Sequence, residues 1–149
     1  MRSNHIAISM LIKAPANKVW SSIADWESQG DWMLQTTVSR TSEISEGVGV
    51  KIEAFTGPLY RLYPRFKFLG LLDLMEVTRW EPPHRCDVIH YGKILKGSGT
   101  FEVVALDNNH TTFHWSEEVI APRLLFIMVK PFLWLGVKIS LSRFARLLE

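Results

Sequence analysis

The hydrophobic positions at the start of the chain alternate with polar ones, as in a strand that is buried on one face. This spacing predicts a strand over 5–13, with Ser9 on its polar side. The apolar positions of that strand are Ile6, Ile8, Met10 and Ile12. After Pro15, which suits a first helical position, the apolar spacing becomes helical and predicts a short helix over 15–26. A second brief helical turn is expected to end at Gly30.

From residue 36 to residue 120 the pattern is that of short strands separated by turns. Separators such as Glu46-Gly47 and Asp107-Asn108-Asn109 carry the glycine and asparagine chemistry of turns. Short connections favour antiparallel neighbours, and residues 58–70 form the one long connection. The predicted strands are 36–44, 48–57, 71–80, 85–92, 94–106 and 110–120.

The last part of the chain, from Pro122 to Glu149, has the composition of a long helix with a kink at Pro131. Between Leu124 and Ile139 this helix is apolar almost all round, so it is either enclosed or meets something other than water. A homodimer would hide such a surface, and a membrane would do the same. Nearby cations could meet anionic head groups: Lys130, Lys138, Arg143 and Arg146. The sequence therefore predicts an α+β fold, with a curved antiparallel sheet of about seven strands around a long C-terminal helix.

The composition narrows the class of protein. At 149 residues, 47% hydrophobic and 21% charged, the chain fits one folded domain over 1–149 and is not disordered. A net charge of +2 gives no basis for nucleic-acid binding. Six tryptophans require a core, an interface or a pocket to hide them.

The cell compartment is expected to be the cytoplasm. Cys86 is the only cysteine, so the chain forms no internal disulfide. The apolar run Ile6–Ile12 imitates a short signal peptide, but Ser9 interrupts it and Lys13 follows it. We therefore expect no secretion.

Several stretches, taken in order, resemble one known superfamily. They are Ala14-Pro15-Ala16-Asn17-Lys18-Val19-Trp20, Asp25-Trp26-Glu27, Asp31-Trp32-Met33, Glu76-Val77-Thr78-Arg79-Trp80-Glu81-Pro82-Pro83, Gly97-Ser98-Gly99-Thr100-Phe101 and Trp115-Ser116-Glu117-Glu118, followed by Pro122 and the long helix. Together they resemble the SRPBCC superfamily of START-like, helix-grip proteins, and within it bacterial polyketide cyclase/dehydrase-type proteins. The resemblance implies a seven-stranded sheet that grips the last helix around a hydrophobic cavity. Its members bind lipids, carry hormones or cyclise polyketides, so it does not select one activity.

Strand periodicity identifies candidate residues inside this cavity. In the strand 110–120 the odd positions place Glu117 on one face with Phe113 and Trp115. An enclosed carboxyl group has a raised pKa and suits proton transfer or the binding of a ligand hydroxyl. The alternative is that the strand end reaches water at Glu117.

Two further polar residues are candidates for the same cluster. The even positions of 85–92 place His90 inward, where it could meet Glu117, although a single strand histidine is often only structural. The strand 71–80 places Asp73 inward, but Arg79 then falls on the same face, which conflicts with this register. The candidate catalytic set is thus Glu117, His90 and Asp73.

The candidate ligand contacts are mostly apolar residues on the inward faces of the elements. Gly97 and Gly99 share such a face and leave volume for a ligand or the helix, or else mark bends that curve the sheet; we favour the bends. The predicted ligand-binding residues are Trp32, Met75, Val88, Phe101, Phe113, Trp115, Met128 and Phe132.

No metal and no cofactor are expected. His84 and Cys86 lack a second pair of ligands at suitable spacing, and the glycines of 92–97 lack the lysine of a phosphate loop. Residues 58–70 interleave aromatic and basic side chains, which suits a membrane interface, a nucleic acid, an anionic head group, or a lid on the cavity mouth.

Three functions remain open at this point. The first is the binding or transport of a hydrophobic small molecule, such as a lipid or a polyketide-like compound. The second is a cyclase/dehydratase that uses an acid/base pair in the cavity. The third is a module that contacts a membrane peripherally, through 58–70 and the C-terminal helix, or that forms a homodimer.

Overall fold

The structure, a computed structural model, describes residues 2–57 and 70–149. Within these residues it contains seven strands and three helices in an α+β arrangement. In chain order they are β1 (Arg2–Ile12), α1 (Ala16–Ile23), α2 (Gln29–Trp32), β2 (Thr36–Arg40), β3 (Lys51–Thr56), β4 (Leu71–Glu81), β5 (Arg85–Tyr91), β6 (Lys96–Ala105), β7 (Thr111–Ala121) and α3 (Arg123–Leu148).

The seven strands form one antiparallel sheet in the order β1-β7-β6-β5-β4-β3-β2. Strands β2 to β7 follow one another as a meander, and each pairs antiparallel with the next. Strand β1 then pairs along its whole length with β7, from Arg2 opposite Ala121 to Ile12 opposite Thr111. The signal-like run Ile6–Ile12 is therefore part of the sheet. The prediction of a curved antiparallel sheet with a long C-terminal helix is confirmed.

The short helices differ from the prediction at their ends. Helix α1 ends at Ile23, where the N–H of Ala24 donates to the carbonyl of Trp20. Trp26 is buried outside the helix, and its indole N–H donates to the carbonyl of Ser45. Gly30 lies inside α2 and does not end it, so that boundary was wrong.

The predicted strands 36–44 and 48–57 are each four residues shorter in the structure. Strand β2 ends at Arg40, whose guanidinium group donates to the carbonyls of the turn that follows. Strand β3 begins only at Lys51, because Gly47 and Gly49 have φ angles of 96° and 95°, which are incompatible with a strand.

A bulge in β4 removes the conflict at Arg79. The pairing with β5 shifts between Val77 and Arg79, so the inward face passes from odd to even positions. Asp73 stays inward, while the Arg79 side chain is exposed and forms an ion pair with Glu81 at 2.7 Å. After the bulge Trp80 lies opposite Cys86 and packs inward.

The core lies between the inner face of the sheet, the second half of α3, and helices α1 and α2. The ring of Phe144 on α3 lies 5.7 Å from that of Phe113 on β7 and 4.8 Å from that of Trp32 on α2. At the other end, Trp80 packs on Trp20 and Trp26, with ring centroids 5.0 and 6.1 Å apart. These contacts bury large apolar areas and fix both α1 and the end of α3 on the sheet.

The first half of α3 is arranged differently, and two predicted cavity residues are corrected here. The buried residues of the helix lie on one side of it, and three of them, Phe126, Leu141 and Leu148, fall within about 60° of one another at 100° per residue. Met128 and Phe132 lie roughly opposite, about 160° from Leu148, and are 64% and 77% exposed. They point away from the sheet and do not line an enclosed cavity. The sequence could not reveal this, because a helix that is apolar all round has no marked inner face.

Candidate functional site

Three side chains from three strands meet on the inner face of the sheet. His90 Nδ1 lies 2.8 and 3.0 Å from the two carboxylate oxygens of Asp73. His90 Nε2 lies 2.6 Å from Oε2 of Glu117. The structure thus brings together the three polar residues singled out from the sequence, and we refer to Asp73, His90 and Glu117 as the polar cluster.

The register of the sheet explains how Asp73 reaches His90. Met75 on β4 lies directly opposite His90 on β5, so Asp73, two residues earlier, is the diagonal neighbour on the same face. The bulge at 77–79 lies beyond this pair and leaves its register intact.

Glu117 reaches His90 across an entire intervening strand. Strand β6 separates β7 from β5, and Gly99 lies beside Glu117 while Gly97 lies beside His90. A Cβ atom on Gly99 would lie 2.7 Å from Oε1 of Glu117, so the carboxyl group occupies the space that a side chain would fill. Gly97 has a φ of 144°, and a Cβ there would collide with the carbonyl of Glu118. The Glu117 side chain therefore takes the space beside Gly99, whereas at Gly97 the backbone of β7 leaves no room for a side chain.

Burial and hydrogen bonding have opposite effects on the pKa of His90. Burial alone lowers the pKa of the imidazole, but the hydrogen bonds and negative charges of Asp73 and Glu117 raise it to about 10. At neutral pH His90 is therefore an imidazolium that donates one N–H to each carboxylate. Burial raises the pKa of Glu117, and the contact with His90 only partly offsets this. One positive and two negative charges leave the ionised cluster with a net charge of −1.

The side chains that carry the carboxylates are partly accessible, whereas the imidazole is buried. The side chain of His90 is 4% exposed, against 17% for Asp73 and 15% for Glu117. A molecule on the inner face can thus hydrogen-bond to carboxylate oxygens, while His90 acts on it only through them. In chemical terms, the cluster can accept hydrogen bonds, bind a positive group, or exchange a proton at Glu117.

The apolar residues predicted to contact a ligand fall into three groups. Met75, Phe101 and Trp115 lie half-buried on the inner face, close in register to the cluster. Val88 and Phe113 are core residues without appreciable exposed surface, and the ring of Phe113 packs against Phe144 of α3. Trp32 is also buried, and its indole N–H has no hydrogen-bond partner among the described residues. Met128 and Phe132 lie on the outer side of α3, as described above.

Two accessible residues on the same face were missed. Met10 on β1 lies opposite Phe113, and Val119 on β7 lies opposite Gly97; both are half-buried. The alternation in β1 and β7 that identified Ile8 and Glu117 already placed them inward.

The outer face of the sheet carries a groove of about 430 Å³ that does not include Asp73 or Glu117. Its lining includes Arg85 and Asp87, which form an ion pair at 2.9 Å. Arg85 also contacts Glu102 at 3.1 Å. Charged groups paired in this way suit a solvated surface better than an apolar ligand, so the inner face is the better candidate.

Within residues 2–57 and 70–149, no three His, Cys, Asp or Glu side chains are grouped so as to hold a metal ion. Both ring nitrogens of His90 are already engaged by carboxylates. The aromatic-basic segment 58–70, predicted to contact a membrane or to close the cavity, lies outside the described residues except for Gly70.

The sequence matches no protein-family model. It also matches no curated protein. In three dimensions, by contrast, it is similar to a START superfamily protein from Mycobacterium smegmatis, with a TM-score of 0.75 and 10% identity over 97% of this chain and 99% of that one. It is similar to the Zhui aromatase/cyclase from a Streptomyces species, with a TM-score of 0.66 and 16% identity over 97% of this chain and 90% of that one.

A third similar structure is the di-domain aromatase/cyclase BexL, with a TM-score of 0.71 and 11% identity over 96% of this chain and 45% of that one. At such low identity these likenesses establish the fold. The chain has the START-like, helix-grip fold.

Proposed function

We propose that the chain binds a hydrophobic small molecule against the inner face of its sheet, and that the polar cluster anchors one polar group of that molecule. The observation that carries the proposal is the pair of partly accessible carboxylates of Asp73 and Glu117, held by a buried His90. The half-buried Met75, Phe101 and Trp115 supply apolar contacts on the same face. Similar folds in a START protein and in aromatase/cyclases support this choice.

The charge of the cluster selects the polar group. A net charge of −1 repels a ligand carboxylate or phosphate, whereas a hydroxyl, phenol or amine can donate to Glu117 or Asp73. We therefore expect an apolar ligand with at least one hydrogen-bond donor. As expected from the sequence, the protein would meet this ligand in the cytoplasm.

Three naphthalenes test this chemistry directly. Isothermal titration with 2-naphthol, naphthalene and 2-naphthoate compares a donor, an apolar parent and an anion of nearly equal size. We expect 2-naphthol to bind at least about tenfold more tightly than naphthalene, because one hydrogen bond to a charged acceptor contributes about 1.5–3 kcal/mol. The anion should bind weakest, and an anion that binds best would overturn the proposed anchor.

A matched pair of variants assigns the effect to the cluster. Glu117→Gln removes the negative charge on the inner face, whereas Glu118→Gln makes the same change on the neighbouring exposed, outward residue. We expect the preference for 2-naphthol to disappear in Glu117→Gln and to persist in Glu118→Gln. Mass spectrometry of molecules that co-purify with the native protein would then identify the physiological ligand class.

A second candidate function is a cyclase/dehydratase reaction, favoured by the 2.6 Å contact between Glu117 and His90. A carboxylate there could take a proton from carbon next to a ligand carbonyl and return it to a leaving hydroxyl group, which departs as water. Incubating the co-purified molecule with the protein separates the two functions. A carrier returns the molecule unchanged, whereas the enzyme returns a product that has lost one water.

A further inference from the structure

The outward side of α3 forms a continuous apolar stripe. Its members are spaced at i, i+4, i+8, i+11 and i+15, so that they share one side of the helix. They are Leu124, Met128, Phe132, Leu135 and Ile139, and we call them the α3 stripe. Leu124 is 73% exposed and Phe132 is 77% exposed, so nothing in the described part of the chain covers them.

We propose that the α3 stripe docks this protein on the surface of an anionic lipid bilayer. A surface of adjacent exposed apolar side chains is costly in water and marks a contact surface. Leu125 and Ile127, beside the stripe, are also more than half exposed and widen the apolar surface.

The length of the exposed segment favours lying in the interface over crossing the bilayer. By length and composition alone, Arg123–Leu148 could cross a membrane. Its last turns are nevertheless packed in the core through Leu141 and Phe144. The exposed part, 124–139, is about 24 Å long, shorter than the roughly 30 Å hydrocarbon core of a bilayer. It can sink its outward side into one leaflet while the sheet remains outside.

The charges along α3 favour an anionic surface. The helix contains five basic residues and no acidic ones, namely Arg123, Lys130, Lys138, Arg143 and Arg146. In the described part of the chain, none of them forms an ion pair within 4.0 Å. Arg143 and Arg146 follow the stripe and donate to the carbonyls of Asp31 and Ser142. Each cation close to anionic lipid contributes about 1 kcal/mol to binding.

A second copy of the chain is the competing occupant. Two-fold pairing of the stripe would gather the cations of two helices around one apolar contact, and α3 offers no acidic residue to neutralise them. A bilayer of phosphatidylglycerol meets both the apolar stripe and the cations nearest to it, Lys138, Arg143 and Arg146. The occupant that fits both features is therefore the bilayer.

Flotation of the purified protein with vesicles tests the docking. One set of vesicles contains phosphatidylcholine alone and the other equal parts of phosphatidylcholine and phosphatidylglycerol. We expect binding to the anionic set, weaker binding at high salt, and at least about tenfold weaker binding for the double variant Met128→Ser/Phe132→Ser, since each buried apolar side chain contributes about 1.5–3 kcal/mol.

Ile94→Ser is the matched control, because Ile94 has the same 77% exposure as Phe132 but lies between β5 and β6. It should bind vesicles like the unchanged protein. If the unchanged protein ignores both vesicle sets, the proposal is wrong. It is equally wrong if sedimentation without lipid shows the unchanged protein as a dimer and the double variant as a monomer, because a second copy then covers the stripe. Vesicle binding is measured without the naphthalenes, so its failure leaves the ligand proposal standing.

Discussion

At the scale of single residues, the contact between His90 and Glu117 sets the protonation of the polar cluster. Since the pKa of His90 is raised to about 10, both ring nitrogens should carry protons at pH 7. Imidazole 15N chemical shifts report this directly. We expect the shifts of a doubly protonated ring in the native protein and a lower pKa in Glu117→Gln. A His90 that titrates near pH 6.5 would contradict the assignment.

The same pKa predicts how stability depends on pH. Below pH 6.5 both the folded and the unfolded protein hold the His90 proton, and the stabilisation is complete. Between pH 6.5 and about 10 only the folded protein keeps it, so the free energy of unfolding falls by up to about 1.4 kcal/mol per pH unit.

Urea unfolding between pH 6.5 and 9 measures this slope. The range stops at pH 9 because the Cys86 thiol of the unfolded protein begins to lose its proton near that pH. In the folded protein burial raises the pKa of this thiol to about 12, so above pH 9 Cys86 would add its own pH dependence. We expect His90→Gln to unfold with a shallower pH dependence, whatever its stability at one pH. An equal slope in both proteins would mean that His90 is neutral in the folded state.

Gly99 is a position at which an added side chain would disturb the cluster directly. In Gly99→Ala the new methyl group would lie 2.7 Å from Oε1 of Glu117, so the carboxyl group must move away from its present position beside His90. We expect the preference for 2-naphthol over naphthalene to fall as it does in Glu117→Gln, with the circular dichroism of the fold retained. Unchanged selectivity would show that the carboxyl group tolerates the displacement.

At the scale of elements, the two halves of α3 have different roles. Phe144 packs against Phe113 and Trp32, and Phe144→Ala should lower the free energy of unfolding by about 3–5 kcal/mol. Phe132→Ala removes an exposed ring and should change it by less than about 0.5 kcal/mol. Urea denaturation of both variants checks the contrast. Comparable losses would mean that the outward half of the helix is packed in solution.

The order and type of the elements could be predicted from the sequence because their hydrophobic periods are clear. The alternation in β7, for example, correctly placed Glu117 beside Trp115. The bulge near Thr78 could not be predicted, since nothing local distinguishes a residue that adds to a strand from one that continues it. The side of α3 that faces the sheet also could not be predicted, because an apolar residue occupies nearly every position there.

At the scale of the whole molecule, the polar cluster depends on the register of four adjacent strands. Residues 73, 90 and 117 meet only because β4 to β7 pair in sequence and Gly99 leaves room between two of them. Strand periodicity could therefore nominate each residue, but not the distances that join them. The role predicted for the aromatic and basic segment 58–70, contact with a membrane or closure of the cavity, stays a prediction.

Ligand binding should be visible in the stability of the entire fold. If 2-naphthol binds only the folded protein, a concentration of 100 times Kd raises the free energy of unfolding by about 2.7 kcal/mol. Differential scanning calorimetry should show a rise in Tm that is retained in Glu118→Gln. In Glu117→Gln the rise at the same ligand concentration should be smaller, and an equal rise would place the binding site elsewhere.

The distribution of tryptophans gives the protein optical signals for three different events. Trp20, Trp26 and Trp80 stack with inclined rings, so coupling between their indoles should produce a strong near-ultraviolet circular dichroism band that reports packing of α1 on the sheet. Trp115 shares the inner face with Glu117, and its fluorescence should respond to an aromatic ligand. Trp134, partly exposed on α3, should shift to shorter wavelength when that helix enters lipid. Because the tryptophans emit in the same range, the variants Trp115→Phe and Trp134→Phe assign each change in fluorescence to its residue, and the three events can then be followed without an added label.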